Sequence, residues 1–511
     1  SNTIWGLDGT YQTEAPWMTK AVDFIPFIET KAKSRLIATA EFAHLIPGHH
    51  RAVGKEGVSY IDDFEASKTS IDIRNMGAWR LASIPQGQDD IFQNASLNDN
   101  LEIGFKRAKL AWYTIDPLFF RNTSITPPNI NKTLSLANGN TVKQQSYHYV
   151  REILETEVFP NRDPDLGSQI TNLAVLDVAY YPLERGPNNY TVSGLKANGE
   201  LYNPSDNWGG IMRKLETNDF EAANIEFIEF WMMDPFNNED GLSNHSGGDM
   251  YINLGNISED VLKDGRKMYE NGLPEDPLST NNTDETIWGK IPTNQSLLYA
   301  FSDKDAERLS QDVGFDGLND AEETQLFGTS FGADPANDNY SYFRSTEYDN
   351  SNASILTRYK KFNNTQGNSP TNNLSTESYP TSATTFPDTE DIDKDQTMNS
   401  VESYYQYKVS LNKNDLVVGQ NNIVDEKRVN VKLEDGSEKE FRWLQFRIQV
   451  STPDEIVNNI TGFNSIRFLR IFLTKFKMPV VLRFGELQLV RGDWRRFTKT
   501  LDEAIVPPQN L

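Results

Sequence analysis

Cysteine is absent from the 511 residues of the chain, and histidine is scarce, with five residues. The absence of cysteine excludes disulfides, thiolate nucleophiles and cysteine-ligated zinc. His49 and His50 stand side by side in a predicted turn, where neighbouring side chains diverge, and the other three histidines are scattered along the sequence. A metal site built on histidine is therefore disfavoured.

Positive charge is also in short supply. The chain has 49 lysines and arginines against 73 aspartates and glutamates, which gives a formal net charge of -24 spread along the sequence. Such a surface repels phosphate backbones and anionic lipid headgroups, so nucleic acid is a poor partner. The same surface attracts divalent cations such as Ca²⁺.

Long hydrophobic segments are missing as well. There is no run of about 18 apolar residues and no charged-then-apolar leader, so we expect neither a transmembrane helix nor a signal peptide in this sequence. The chain starts at Ser1-Asn2-Thr3 inside an alternating pattern. We therefore expect it to be a fragment of a longer protein.

Sequence motifs of enzymes are not found either. The chain has no glycine-rich phosphate loop, no Gly-x-Ser-x-Gly motif and no His-Glu-x-x-His motif. Asp62, Asp63 and Glu65 resemble glycosidase acids, but three acids within four residues do not form a pair that flanks a substrate. We predict a structural role for these acids and no enzymatic activity for the chain.

The strongest pattern that is present runs from Ile225 to Met233. Both period-2 faces of this stretch are largely apolar, which predicts a central strand packed on two sides. Pro235 ends the strand because proline cannot donate to a sheet. The apolar run Met250 to Leu254 follows a Gly247-Gly248 turn, so the two runs are predicted to pair as an antiparallel hairpin.

Further strand-like apolar runs lie at residues 404–409, 440–450, 465–473 and 479–490. Apolar strands therefore bracket two polar insertions, at about residues 86–200 and 266–400. The arrangement predicts a mainly β fold, a discontinuous jelly-roll-like β-sandwich over residues 59–495 with long loop and helical insertions. Residues 496–511 are assigned to a C-terminal extension.

Residues 1–58 form a separate region with two alternating segments, near residues 3–12 and 35–45. One face of each segment is apolar and the other is polar. Strands in the wall of an outer-membrane β-barrel have this pattern, and so does a soluble hairpin. We expect strands here, and the pattern leaves both alternatives open.

The sharpest local motif is an acidic stretch from residue 391 to residue 402. Its oxygen-bearing side chains fall at positions one, three, five, seven, nine and twelve of a calcium loop, with these residues: Asp391, Asp393, Asp395, Thr397, Asn399 and Glu402. Gln396 stands where a loop glycine is expected, and a strand follows, so a helix-loop-helix pair is disfavoured. A Ca²⁺ site and a solvated acidic turn both remain open.

A second acidic turn surrounds Gly314 and Gly317. Its polar residues are Asp312, Asp316, Asn319, Asp320 and Glu323. A metal site is one interpretation, and the end of one helix followed by the cap of the next is the other. Ser302 followed by Asp305, and Asn319 followed by Glu322, each predict a helix start.

Several long motifs resemble one known family. These motifs are Tyr60–Ser67, Tyr180–Pro187, Trp208–Arg213, Asn218–Glu221 with Ile225–Phe236, Tyr251–Asp260, Asp316–Leu318 and Leu482–Arg496. They resemble the central region of the SprA/Sov family, the giant outer-membrane translocon of the type IX secretion system in gliding and pathogenic Gram-negative bacteria. The resemblance extends over nearly the whole chain.

The resemblance implies a non-enzymatic part of a protein-export channel at the outer membrane or cell surface. Family partners are secreted cargo proteins, a small outer-membrane barrel protein that collects cargo, a periplasmic plug protein and surface-bound accessory proteins. The family protein is several times longer, so this segment is expected to be an extramembrane cap with a few attached strands. No catalytic residue is carried over.

The strand order also resembles the jelly-roll of carbohydrate-binding modules. This likeness gives an alternative function, a calcium-stabilised glycan-binding module on the cell surface. Fold does not imply function, so the alternative depends on a sugar site that the sequence does not define.

Overall fold

The computed structural model describes most of the chain. The described residues are 3–26, 32–46, 70–130, 132–136, 141–160, 172–193, 195–236, 245–267, 273, 283–294, 300–302, 304–311, 314, 316–365, 375, 377–379 and 386–492. The predictions on Asp62, Asp63 and Glu65, on the adjacent histidines and on the extension over residues 496–511 lie outside the described residues.

The chain divides into two compact units, residues 1–67 and residues 68–511. In the first unit, β1 (Thr3–Glu14) and β2 (Arg35–Ile46) pair antiparallel along their whole length. α1 (Pro16–Val22) lies between them in sequence and starts with proline, which suits a helix position that needs no backbone donor. The alternating pattern thus forms a hairpin, and its assignment to an outer-membrane wall stays a prediction.

The second unit is mainly β. Its strands are β3 (Ile71–Asp72), β4 (Arg80–Leu81), β5 (Ala108–Tyr113), β6 (Thr133–Ser135), β7 (Thr141–Lys143), β8 (Leu176–Arg185), β9 (Trp208–Lys214), β10 (Ile225–Met233), β11 (Asp249–Asn256), β12 (Thr283–Glu285), β13 (Lys290–Pro292), β14 (Ser403–Ser410), β15 (Ile423–Lys432), β16 (Glu438–Gln449), β17 (Glu455–Val457), β18 (Phe468–Thr474) and β19 (Val480–Arg491).

The helices of this unit are short. They are α2 (Glu155–Val158), α3 (Asp305–Gln311), α4 (Asp320–Phe327), α5 (Thr346–Asn350) and α6 (Ile355–Tyr359). α4 begins directly after its predicted cap, and the Asn319 side chain accepts hydrogen bonds from the backbone amides of Ala321 and Glu322. α3 begins at Asp305, three residues after the predicted cap Ser302. In the described ranges, no helix combines the length and apolar character that a membrane span needs.

Two antiparallel sheets make up the body of the unit. The larger has the strand order β15-β16-β10-β19-β8-β5, with β3 also paired to β19, and the second has the order β17-β14-β11-β18-β9-β4. Within the described residues, β6 pairs β7 and β12 pairs β13 as separate hairpins in the insertions.

The main hydrophobic core lies between the two sheets. Phe230, Phe446 and Phe484 come from the larger sheet, and Ile252 and Ile471 come from the second sheet. Phe230 stacks on Phe446 with 4.6 Å between ring centroids and meets Phe484 edge-on at 5.5 Å. The expected β-sandwich is therefore present, with strands from distant parts of the sequence as neighbours.

The outer faces of both sheets are covered as well. On the larger sheet, Trp231 and Trp443 pack with Val158, which is contributed by an insertion. On the second sheet, Phe472 packs with Phe92 from the loops before β5. β10 therefore has both faces buried, which confirms the central-strand prediction for residues 225–233.

Two details differ from the sequence predictions. β10 and β11 do not form a hairpin, because β10 lies between β16 and β19 in one sheet while β11 lies between β14 and β18 in the other. β5 and β8 lie inside the stretch predicted as an insertion, yet they form one edge of the larger sheet. Both strands are apolar on two sides, and apolar content alone does not tell which sheet a strand joins.

Candidate metal centres in the acidic loops

Two acidic loops meet at one edge of the second sheet. β11 ends at Asn256 and β14 begins at Ser403, and these two residues are paired in the antiparallel register. The segment that leaves β11 therefore meets the segment that enters β14. We call residues 257–267 and 388–402 together the paired acidic loops.

Glu259 lies in the first acidic loop, and its carboxylate accepts hydrogen bonds from the backbone of the second loop. Its Oε1 accepts hydrogen bonds from the backbone amides of Ile392 at 2.6 Å and Asp393 at 3.2 Å, and its Oε2 accepts from the amide of Asn399 at 3.0 Å. The backbone amide of Glu259 donates to the carbonyl of Asn399 at 2.7 Å. A carboxylate from one loop thus fixes the backbone of the other.

The carboxylate of Glu259 is costly to ionise. Burial raises its pKa to about 7, with the nearby Asp393 acting in the same direction and the three amide hydrogen bonds acting against it. Three carboxylate oxygens lie within 4.8 Å of one another here, one each from Glu259, Asp391 and Asp393. These three carboxylates could hold a cation, and hard oxygen ligands of this kind are those that Ca²⁺ prefers.

The first four predicted ligands of the calcium loop lie in one tight turn, at residues 391, 393, 395 and 397. The Asp391 carboxylate accepts from the amides of Asp395 and Gln396, and the Asp393 carboxylate also accepts from the amide of Asp395. Asp395 in turn accepts from the amide and the hydroxyl of Thr397, which together hold the pKa of Asp395 below its usual range. The side chains here bind the backbone of their own turn.

The last two predicted ligands of the loop, Asn399 and Glu402, have other partners. The Asn399 side chain donates to the carbonyl of Ile257 at 2.8 Å. Both oxygens of Glu402 bind the guanidinium of Arg470, at 2.9 and 3.1 Å, and this pair is buried. The structure therefore brings Asp391 and Asp393 together with Glu259, whereas Glu402 binds Arg470. A Ca²⁺ ion in this loop stays a prediction.

Arg467 neutralises part of the same turn. Its guanidinium lies 2.7 Å from a carboxylate oxygen of Asp393 and 3.2 Å from one of Asp395. The Arg467 side chain is 36% exposed, so this pair contributes less than the buried pair of Arg470 and Glu402.

The second acidic turn is organised around three buried carboxylates. Asp316, Glu323 and Asp338 each bring one oxygen within 4.8 Å of the others. Tyr190 donates to Asp316 at 3.1 Å, and the amide of Ala336 donates to Glu323 at 2.9 Å. Burial raises the pKa of Asp316 and of Glu323, and the neighbouring acids raise both further.

The other members of that predicted turn have separate places. Asn319 caps α4, as the structural interpretation expected, and Asp320 lies with Glu323 and Asp334 in an adjoining acidic group. Asp312 is outside the described residues. A metal ion in this turn stays a prediction.

Sequence reasoning missed Glu259 and Asp338 as members of these groups. Glu259 belongs to a Ser-Glu-Asp triplet directly after β11, and acids at a strand end were a usable signal. Asp338 lies in a polar segment without periodicity, and only the folded chain places it beside Asp316.

A comparison with protein families gives one match. Residues 318–511 match a family, SprA_N, described as a motility related/secretion protein. The matched residues include α4, one of the paired acidic loops and strands β14 to β19. No curated protein matches the chain. The match confirms, over these residues, the resemblance to the SprA/Sov secretion family.

Proposed function

Because this chain carries a segment of the SprA/Sov secretion family, we propose that it is a non-enzymatic part of a protein-export channel of the type IX secretion system. In this proposal the second unit is an extramembrane cap that contacts partners of a much larger outer-membrane protein. The family match supports a role in motility or secretion, and the cap role is our extension of it.

One observation supports applying the family function to the whole second unit. The matched strands are interleaved with strands that precede the match: β10 lies between β16 and β19, and β11 lies between β14 and β18. In each sheet an unmatched strand separates matched strands, so the matched segment cannot form this core without the strands that precede it. The unit is therefore one structural body, and we extend the secretion role to all of it.

We propose that this body acts by binding rather than by catalysis. In the described residues, the buried acids of the paired loops accept hydrogen bonds from backbone amides or bind arginine, as Glu259 and Glu402 do. Such contacts fix loop backbone, and a rigid surface built on a two-layered core suits a docking role.

The proposed partners follow from the family resemblance. They are secreted cargo proteins, a small outer-membrane barrel protein that collects cargo, a periplasmic plug protein and surface-bound accessory proteins. The proposed location is the outer membrane or cell surface of a Gram-negative bacterium.

The proposal is tested in the full-length protein by deleting residues 68–492. We expect cargo to disappear from the culture medium and gliding to stop, while the shortened protein is still recovered in the outer-membrane fraction. Normal cargo export by the deletion would contradict the proposal.

A short epitope inserted at Gly436 is the matched control. Gly436 lies in an exposed turn between β15 and β16 with a φ of +84°, and a side-chain carbon placed there would meet no atom within 4 Å, so the insertion is expected to leave the fold intact. Export should be normal, and antibody binding to intact cells reports whether the unit faces the outside.

The two-sheet sandwich keeps the alternative of a calcium-stabilised glycan-binding module under consideration. Calorimetry with a set of glycans, with and without Ca²⁺, separates it from the export role. We expect no binding heat for any glycan, and saturable sugar binding would favour the alternative.

A further inference from the structure

A third group of carboxylates joins the paired acidic loops at a different point. Asp260 and Asp264 follow β11, and Glu390 precedes the predicted calcium loop. One oxygen from each of the three lies within 4.8 Å of the others. None of the three was a candidate in the sequence.

Glu390 is the most deeply buried of these acids, with 1% of its surface exposed. Its Oε1 accepts from the backbone amides of Val261 at 2.5 Å and Leu262 at 3.0 Å, and its own amide donates to the carbonyl of Lys267 at 2.7 Å. Its Oε2 is buried and accepts no hydrogen bond. A buried carboxylate oxygen without a partner is costly, so this atom requires a ligand or a proton.

Asp264 presents a second buried oxygen of the same kind. Its Oδ1 accepts from the amide of Arg266 at 2.9 Å, and its Oδ2 is buried and accepts no hydrogen bond. Asp260 is held rigidly, because its Oδ1 accepts from the amide of Asp264 and its Oδ2 from the amide of Gly265, both at 3.1 Å. The loop backbone therefore fixes all three carboxylates before any ligand binds.

Nearby basic side chains offset the charge of this group only in part: Lys263 acts to lower the pKa of Asp260 and Arg266 acts to lower that of Asp264, while each has its closest partner elsewhere. Lys263 donates to the carbonyl of Ala95, and Arg266 lies 3.9 Å from a carboxylate oxygen of Asp284. Among the described residues, no lysine, arginine or histidine forms an ion pair with Asp260, Asp264 or Glu390. Three acids at this spacing repel one another, and burial together with their mutual repulsion raises the pKa of Glu390 and brings that of Asp264 to about 7.

We propose that Asp260, Asp264 and Glu390 bind a Ca²⁺ ion that joins the two acidic loops. Ca²⁺ takes oxygen ligands at about 2.3–2.6 Å in flexible geometry, so oxygens up to 4.8 Å apart can share one ion. Mg²⁺ fits less well, because it demands a near-ideal octahedron and gives up its water reluctantly.

The remaining ligands of the ion are water. A cavity of about 450 Å³ adjoins the group and is lined by Asp260 together with Ser258 and Lys263, so solvent reaches this side of the site. The positive charge of the ion stabilises Glu390 Oε2 and Asp264 Oδ2, the two buried oxygens that accept no hydrogen bond. It also links the residues after β11 to those before β14, which stabilises this edge of the second sheet.

This site is separate from the calcium loop predicted at residues 391–402, and it does not depend on the export role. The test is calorimetric titration of the EGTA-treated chain with CaCl₂ near neutral pH, together with thermal unfolding in EGTA and in Ca²⁺. We expect saturable binding and a higher Tm in Ca²⁺.

Glu390→Gln is the decisive variant. Its side-chain oxygen still accepts from Val261 and Leu262, while an amide replaces the orphaned oxygen. We expect Ca²⁺ affinity to fall by about tenfold or more. In EGTA the variant should have a Tm equal to or above that of the parent, because one of three repelling charges is gone.

Two controls isolate the site. Asp99→Asn removes one negative charge from an exposed position near Asp264 and should change Ca²⁺ affinity by less than about threefold. Asp391→Asn alters the predicted loop and should leave this binding event in place. Should Glu390→Gln not fold, Asp264→Asn provides the same comparison.

Three results would overturn the proposal. They are an absence of Ca²⁺ binding by the parent chain, unchanged binding by folded Glu390→Gln, and loss of the binding event in Asp391→Asn alone. If the first result comes with a Tm that falls as pH rises, the three carboxylates hold protons instead of an ion.

Discussion

Oppositely charged side chains form buried pairs in the second unit. Arg470 binds Glu402, Arg483 binds Asp177, and both pairs have side chains no more than about 2% exposed. Removing one partner from a buried pair leaves the other charge without compensation, which costs more than the pair contributes. Single substitutions in these pairs are therefore expected to lower the free energy of unfolding strongly.

Arg470→Met tests the pair that ends the predicted calcium loop. The variant leaves Glu402 buried without a cation, and it also removes the bond from Arg470 Nε to Asn253 at 3.0 Å. We expect the free energy of unfolding in urea to fall by about 3–5 kcal/mol. Arg467→Met is the control, because its pairs with Asp393 and Asp395 are partly exposed and should contribute about 0–1 kcal/mol. Equal losses in the two variants would contradict this account.

Glu323 gives a prediction about pH. Its pKa is raised in the folded state, so folding binds a proton that the unfolded chain releases. The associated stability is present at acid pH and is lost as the pH rises above the usual carboxyl range, by up to about 1.4 kcal/mol per pH unit for each such group.

The measurement is urea unfolding in EGTA between about pH 5 and about pH 8. We expect stability to fall with rising pH and to fall less steeply in Glu323→Gln, whose amide can face Asp338 without a charge. Glu438→Gln, at an exposed position in β16, should keep the slope of the parent. A parallel change in both variants would show that Glu323 is not responsible.

At the scale of elements, β10 is the strand on which the larger sheet is built. It pairs with β16 on one side and β19 on the other, and the insertions cover its outer face. By contrast, β15 lies at an edge, and charged residues make up half of it, which discourages pairing with another chain.

Phe230→Ala tests the central position of β10. Phe230 is fully buried between Phe446 and Phe484, so the variant leaves a large cavity between the sheets. We expect a loss of about 3–5 kcal/mol in the free energy of unfolding. Val424→Ala in the edge strand β15, where Val424 is 46% exposed, should cost less than about 1 kcal/mol. A small loss for Phe230→Ala would mean that the core closes around the missing ring.

At the scale of the whole molecule, the second unit is held together by strands that are distant in sequence. β3, near the start of the unit, pairs with β19 near its end. Segments near residues 230, 445 and 485 are neighbours in one sheet of the β-sandwich. Such long-range pairing makes the unit cooperative and slow to form.

The net charge of -24 gives a prediction at this scale. Like charges spread over the surface repel one another in the compact state, and salt screens this repulsion. In EGTA, we expect the Tm to rise by a few degrees when NaCl increases from about 0.05 M to about 0.5 M. A fall in Tm would show that surface ion pairs, which salt also weakens, outweigh the repulsion.

Much of the candidate site was not accessible to sequence reasoning. The spacing of Asp391 and Asp393 correctly marked an acidic turn, because local turn geometry depends on neighbouring residues. The same spacing placed Glu402 in the set, whereas the fold directs it to Arg470, which lies 68 residues further along the chain. Glu259 and Glu390 enter these groups only through contacts between loops.

Short-range patterns and motifs were enough to predict the central strands, the Asn319 helix cap and the resemblance to a secretion family. By contrast, contacts between distant parts of the chain place β10 and β11 in different sheets and add β5 and β8 to the larger sheet. Each of these strands is largely buried on both faces, so several neighbouring strands would satisfy its local pattern equally. Close packing of the whole core selects one arrangement, and that arrangement sets which acids meet in the loops.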